Sequence, residues 1–151
     1  MNLGDLYLEK ERFQDAAQTY EAFVEQDPFH PKSPLLQVEV IESYKRGGFP
    51  SLVLEGKKSF VERYGMDGQF WVRNPRAENA EVEAHLKTSL NDLAKYYHAE
   101  AQRDGKRADY QEAARYYFEK NASELNLAEA SLFDGNGRFG RSVQTVVVAP
   151  R

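Results

Sequence analysis

Apolar side chains recur at three- and four-residue spacing along most of the chain, the pattern of helices that bury one face. Leu3, Leu6 and Tyr7 mark a short opening helix. Phe13, Ala16, Ala17, Tyr20, Phe23 and Val24 mark a second, ending near Gln26. Asp27-Pro28 and His30-Pro31 stop it, because a proline ring pushes the preceding residue out of the helical region. Ser33-Pro34 has the form of an N-cap followed by a first helical position. A third helix carries Leu35, Val38, Ile41 and Tyr44 and ends at Gly47-Gly48. Pro50 opens a fourth, with Val53, Leu54, Phe60 and Val61 inward, ending near Tyr64-Gly65.

Residues 66–78 interrupt this rhythm. Turn formers stand at both ends and Phe70-Trp71-Val72 in the middle, which predicts an inserted loop whose Trp71 packs against neighbouring helices. Asn79 then caps a long helix over about residues 80–103, with Val82, Leu86, Leu90, Leu93 and Tyr97 on one stripe, closed by Asp104-Gly105. Asp109 and Glu112 have capping-box spacing ahead of Ala113, Ala114, Tyr117 and Phe118. Ser123 is expected to cap a further helix reaching about Phe133, and DGNGRFG at 134–140 breaks it. Residues 143–151, with three consecutive valines at 146–148, read as extended. The class these elements predict is all-α.

A longer period runs beneath the helical one. Tyr44 follows Tyr7, and Phe60 follows Phe23, by 37 positions, and YQEAARYY at 110–117 repeats the pattern of FQDAAQTY at 13–20. Periods of this length mark stacked units, each too small to bury its own apolar face. In this register the chain resembles the tetratricopeptide repeat (TPR) family. Leu3-Gly4, Tyr7, Ala16, Tyr20 and Pro28 fit one unit. Val40-Ile41, Tyr44, Val53 and Phe60 fit a second, in which Lys57 replaces an aromatic and Gly65 a proline. Leu90, Leu93-Ala94, Tyr97, Ala113 and Tyr117 fit a third, lengthened in and after its first helix. The resemblance implies a right-handed superhelix of antiparallel helix pairs in a single domain. Its repeats cover about 1–30, 31–65 and 79–122, with the inserted loop at 66–78 and a partial fourth unit and tail at 123–151. YEAFVEQDPFHPKSP and FVERYG also resemble the periplasmic TPR proteins of Gram-negative bacteria, outer-membrane assembly lipoproteins among them, which implies a periplasmic setting; in the repeat register Met1 falls inside the first helix of the first unit and the turn after Tyr117 is short, so a piece of a longer protein is expected.

Composition narrows the function. The 151 residues suffice for one domain with a sizeable core. Net charge is −4, which argues against a generic nucleic-acid binder, since that role needs a basic footprint. No run approaches the roughly 18 apolar residues of a membrane span. With no cysteine, disulfides, thiol catalysis and cysteine zinc sites are excluded.

Candidate chemistry is sparse. Asp134-Gly135-Asn136-Gly137 has the centre of a calcium loop, but the first and last ligand positions fall on Leu132 and Val143, so a plain glycine turn is expected. Glu81 and His85 stand one helical turn apart without a third ligand and read as a surface pair. Asn121-Ala122-Ser123 is a glycosylation sequon expected at a helix junction. Neither a phosphate loop nor a nucleophile elbow is present. Tyr96, Tyr97, Tyr110, Tyr116, Tyr117 and Phe118 form a cluster expected mostly in the core.

The reading is therefore a non-enzymatic scaffold, with no catalytic, cofactor or metal residues, that binds a protein or peptide partner. The resemblance places a groove on the first helix of each unit. It implies Asp5, Leu8 and Glu9 in the first, Leu35, Val38, Glu42, Lys45 and Arg46 in the second, and Asn91, Lys95 and His98 in the third. On the bland alternative Leu35 and Val38 are core and the charges a solvated face. The other class considered is a structural spacer or oligomerisation module of a larger periplasmic assembly. Apolar ends, Leu3, Leu6 and Tyr7 at one side and Leu125, Leu127, Leu132 and residues 146–148 at the other, predict weak self-association.

Overall fold

The computed structural model describes the backbone of residues 2–133 and side chains as far as Glu124, Tyr7 excepted. The expected extended tail at 143–151, the break and glycine turn at 134–140, and the apolar side chains proposed for the C-terminal end lie outside the described residues. Six α-helices follow one another with no strand among the described residues: α1 (Leu3–Gln26), α2 (Ser33–Gly47), α3 (Pro50–Tyr64), α4 (Gln69–Arg73), α5 (Ala80–Asp104) and α6 (Arg107–Phe133). A 3-10 turn, Arg76–Glu78, precedes α5.

α1 is one unbroken helix of 24 residues, where the spacing predicts two with a turn before Phe13. Residues 7–12, YLEKER, hold neither glycine nor proline and are mostly strong helix formers, so nothing opens a turn there. The start is fixed by a capping box that the pattern of apolar residues did not reveal. The Asn2 side-chain oxygen accepts from the Asp5 N–H at 2.9 Å, and the Asp5 carboxylate accepts from the Asn2 N–H at 3.3 Å. One helix thus stands where the first antiparallel pair was expected. α1 pairs instead with α2, through a core of Ala17, Val40 and Tyr44 flanked by Tyr20, Phe49, Leu52 and Val53.

Local chemistry sets the joints. Ser33 does not cap α2: its buried hydroxyl donates to the Asp27 carbonyl at 2.6 Å and braces the preceding loop, while Lys32 takes the cap position without a side-chain bond. α2 closes at Gly48, whose φ of 73° is the left-handed conformation glycine adopts freely. α2 and α3 approach closely at Gly56, where a Cβ would lie 2.9 Å from Cγ1 of Ile41. Arg63 adds a hydrogen bond to the Gln37 side chain across the pair at 3.0 Å.

The main core joins Ile41 of α2, Phe60, Val61 and Tyr64 of α3, Phe70 of α4, the α5 stripe Val82, Leu86, Leu90 and Leu93, and Tyr116 of α6. The insertion at 66–78 is therefore not a plain loop but α4 plus the 3-10 turn. Phe70 is fully buried, and Trp71 is half-buried with its indole N–H donating to the Tyr64 carbonyl at 2.9 Å. Asn74 donates to the carbonyls of Phe29 and Phe70, and Arg76 donates to the Glu83 carboxylate, so the insertion is pinned to the α1–α2 loop and to α5.

Three expectations at the C-terminal half need correcting. Asn79 precedes α5 as its spacing predicts, but its amide donates to the Pro75 carbonyl at 2.7 Å and makes no side-chain cap. α6 starts at Arg107, so Asp109 lies in its first turn, and it runs on past a buried Ser123; no new helix begins there and the sequon sits mid-helix. Of the aromatic cluster only Tyr116 is buried, with Tyr97 and Tyr117 half-buried and Tyr96, Tyr110 and Phe118 exposed. α5 and α6 meet along one face each, and neighbouring tyrosines at 96–97 and 116–117 cannot all point into it.

Tyr44 is 6% exposed, and its hydroxyl donates to the Glu21 carboxylate of α1 at 3.3 Å. Tyr44→Ala is expected to cost about 3–5 kcal/mol in chemical denaturation, as for other buried aromatics; a loss under roughly 1 kcal/mol would contradict this packing. Burial pushes the Tyr64 phenol up to about 12. The folded value lies above the unfolded one, so this stabilisation is complete below pH 10, the ordinary tyrosine value, and is lost as pH rises through the folded value. Urea midpoints should fall more steeply from pH 8 to pH 11 in the native protein than in Tyr64→Phe. Parallel slopes would contradict the assignment.

Candidate functional site

α3 and α5 run antiparallel and leave a cleft of about 720 Å³ beside the start of α3. From α3 come Pro50, Ser51, Val53, Leu54, Glu55 and Lys57; from α5 come Asp92, Leu93, Lys95 and Tyr96. Helical spacing explains the set, because residues 50, 53–54 and 57 share one face of α3 and residues 92, 95 and 96 one face of α5. Leu93 is fully buried and Val53 and Leu54 half-buried, giving the cleft an apolar floor.

Charge lies on its rim. The Lys57 ammonium reaches Asp92 at 2.9 Å and links the two walls. Both side chains keep solvent contact, so the pair stabilises by at most about 1 kcal/mol and serves mainly to fix the spacing of α3 and α5. Glu55 pairs with Lys58 at 3.6 Å. Lys58 also sits 5.3 Å from the Tyr97 ring centroid, and Tyr97 stacks on Tyr116 at 5.8 Å. Burial raises the Tyr116 phenol above its ordinary value, against the opposing charge of Arg115. Tyr96, edge-on to Tyr97 at 5.2 Å, is 43% exposed and offers an aromatic contact surface at the cleft.

No protein-family model, curated protein or solved structure matches this chain. The cleft has to be understood from its own geometry.

The residues expected to line a groove are distributed unevenly. Lys95 lines the cleft. Asn91 lies a turn earlier on α5, but its side-chain oxygen accepts from Lys120 at 3.3 Å. His98 is exposed and faces Tyr117 edge-on at 6.5 Å, towards α6. Leu35 and Val38 are half-buried and packed on the main core, so their apolar atoms serve the fold. Glu42 pairs with Lys45 at 3.8 Å, and Lys45 and Arg46 are exposed in the last turn of α2, just before Pro50. Asp5, Leu8 and Glu9 are exposed on α1, outside the cleft lining, with Asp5 engaged in the capping box.

Pro50, Ser51, Lys57, Asp92 and Tyr96 were not anticipated at this site. Two signals pointed to it. Lys57 occupies a position where the repeat pattern has an aromatic, and a charge there needs a partner or solvent. Tyr97 falls on the buried stripe of α5, so its neighbour Tyr96 must face elsewhere.

A second cavity of about 410 Å³ lies at the other end of α3, with Val61, Met66, Leu86, Leu90 and Phe118 in its lining. The buried Ser123 hydroxyl that also borders it has no hydrogen-bond partner among the described residues. Glu81 and His85 approach to 3.9 Å on the surface, and no group of three or more His, Cys, Asp or Glu is placed to hold a metal among the described residues. No described helix is long and apolar enough to cross a membrane.

Proposed function

We propose that this chain is a protein-binding helical scaffold, a TPR-like right-handed superhelix of antiparallel helix pairs, which holds a peptide or partner segment in the cleft between α3 and α5. The cleft carries this reading. Its volume of about 720 Å³ falls in the range of sites that enclose a ligand, and an apolar floor with a charged rim suits side-chain anchors on an extended or helical segment. The successive packing of α1 on α2, α2 on α3, α3 on α5 and α5 on α6 supports the stacked-repeat arrangement.

The second reading, a spacer or oligomerisation module of a larger periplasmic assembly, is favoured by one observation. Leu3, Leu6 and Leu8 on α1 are 66%, 41% and 62% exposed, an apolar stretch suited to association.

Ser51 is exposed at the cleft, so a large ring can be placed there without disturbing the core. Ser51→Trp is expected to abolish the binding of peptides selected by display on the native chain, with the helical circular dichroism spectrum unchanged. Undiminished affinity in the folded variant would remove the cleft from the function and favour the spacer.

A further inference from the structure

Resting on the cleft reading above, we infer that the segment bound there is acidic, with Asp and Glu side chains flanking its apolar anchors. The protein as a whole carries a net charge of −4, whereas the cleft lining sets two lysines, Lys57 and Lys95, against two carboxylates, Glu55 and Asp92, and of these four Lys95 is the one without an ion-pair partner among the described residues. Both carboxylates in the lining are already engaged, Asp92 by Lys57 at 2.9 Å and Glu55 by Lys58 at 3.6 Å. Lys95 is exposed and has no ion-pair partner among the described residues. The first turn of α3, which supplies Pro50 and Ser51 to the cleft, has no side-chain cap, so its free N–H groups add to the positive field.

The consequence is discrimination by charge. An acidic segment meets the unpaired Lys95 ammonium at the cleft while its apolar side chains enter against Val53, Leu54, Leu93 and Tyr96. A basic segment meets repulsion at the same place and finds no free carboxylate in the lining. Exposed charges of this kind act chiefly on encounter and specificity, and their effect weakens with salt.

Display of random segments held between fixed flanks, so that the only variable carboxylates are side chains, tests this. Selection uses the whole chain and the Lys95→Glu variant, each checked for folding by circular dichroism. The native chain is expected to enrich segments combining Asp or Glu with apolar residues, and the variant to lose that preference in favour of Lys and Arg. A labelled peptide from the native pool should bind the variant roughly tenfold more weakly, and should weaken on the native chain as salt is added. A neutral or basic pool from the native chain, or unchanged affinity for the folded variant, overturns the acidic inference and leaves the cleft reading standing. No enrichment from either protein overturns both.

Discussion

A single buried tyrosine, Tyr64, ties together the segments on which the rest of the architecture depends. Its ring packs between Phe60 and Phe70, with centroids at 5.1 and 5.4 Å, and so joins α3 to the inserted α4. Its hydroxyl donates to the Pro28 carbonyl in the α1–α2 loop at 3.1 Å, and its own carbonyl accepts from Trp71. A fully buried phenol must find a partner, since an unpaired hydroxyl in the core costs about 1–3 kcal/mol. That requirement fixes the loop, the end of α3 and the insertion in one arrangement, with Asn74 and Arg76 completing the attachment.

α3 is held on both sides as a result. On one side Gly56 lets it approach Ile41 of α2; on the other it shares the main core with α5 and is bridged to it by Lys57 and Asp92. The cleft opens beside the first turns of this anchored helix, so its walls are helical faces and not loops. Rigid elements hold side chains at defined spacing, which suits the recognition of a segment by alternating apolar and charged contacts.

Much of the fold was legible in the sequence because helical spacing reports burial directly. The α5 stripe Val82, Leu86, Leu90 and Leu93, the burial of Tyr44 and the closures at Gly48 and Gly105 follow from periodicity and from glycine's access to the left-handed region. Boundaries were less legible where a repeat pattern competed with propensity. The pattern placed a turn before Phe13, and an uninterrupted run of helix formers prevailed over it. Ser33 and Asn79 stood where caps belong, yet both side chains bond loop carbonyls instead, a choice set by tertiary contacts that local sequence does not encode. The candidate site was legible only in part. Lys95 follows from the repeat register, but the cleft depends on which helices meet, and Lys57, Asp92 and Tyr96 acquire a shared surface only when α3 lies against α5.

On the proposed reading the α3–α5 cleft is the surface that holds the partner segment. Amide chemical-shift mapping of the whole chain, titrated with a peptide selected against it, shows where that segment lies. The largest changes are expected over residues 50–57 of α3 and 92–96 of α5, with the exposed leucines of α1 unaffected. Changes centred on α1, or on the cavity at the other end of α3 with the α3–α5 cleft silent, would contradict it.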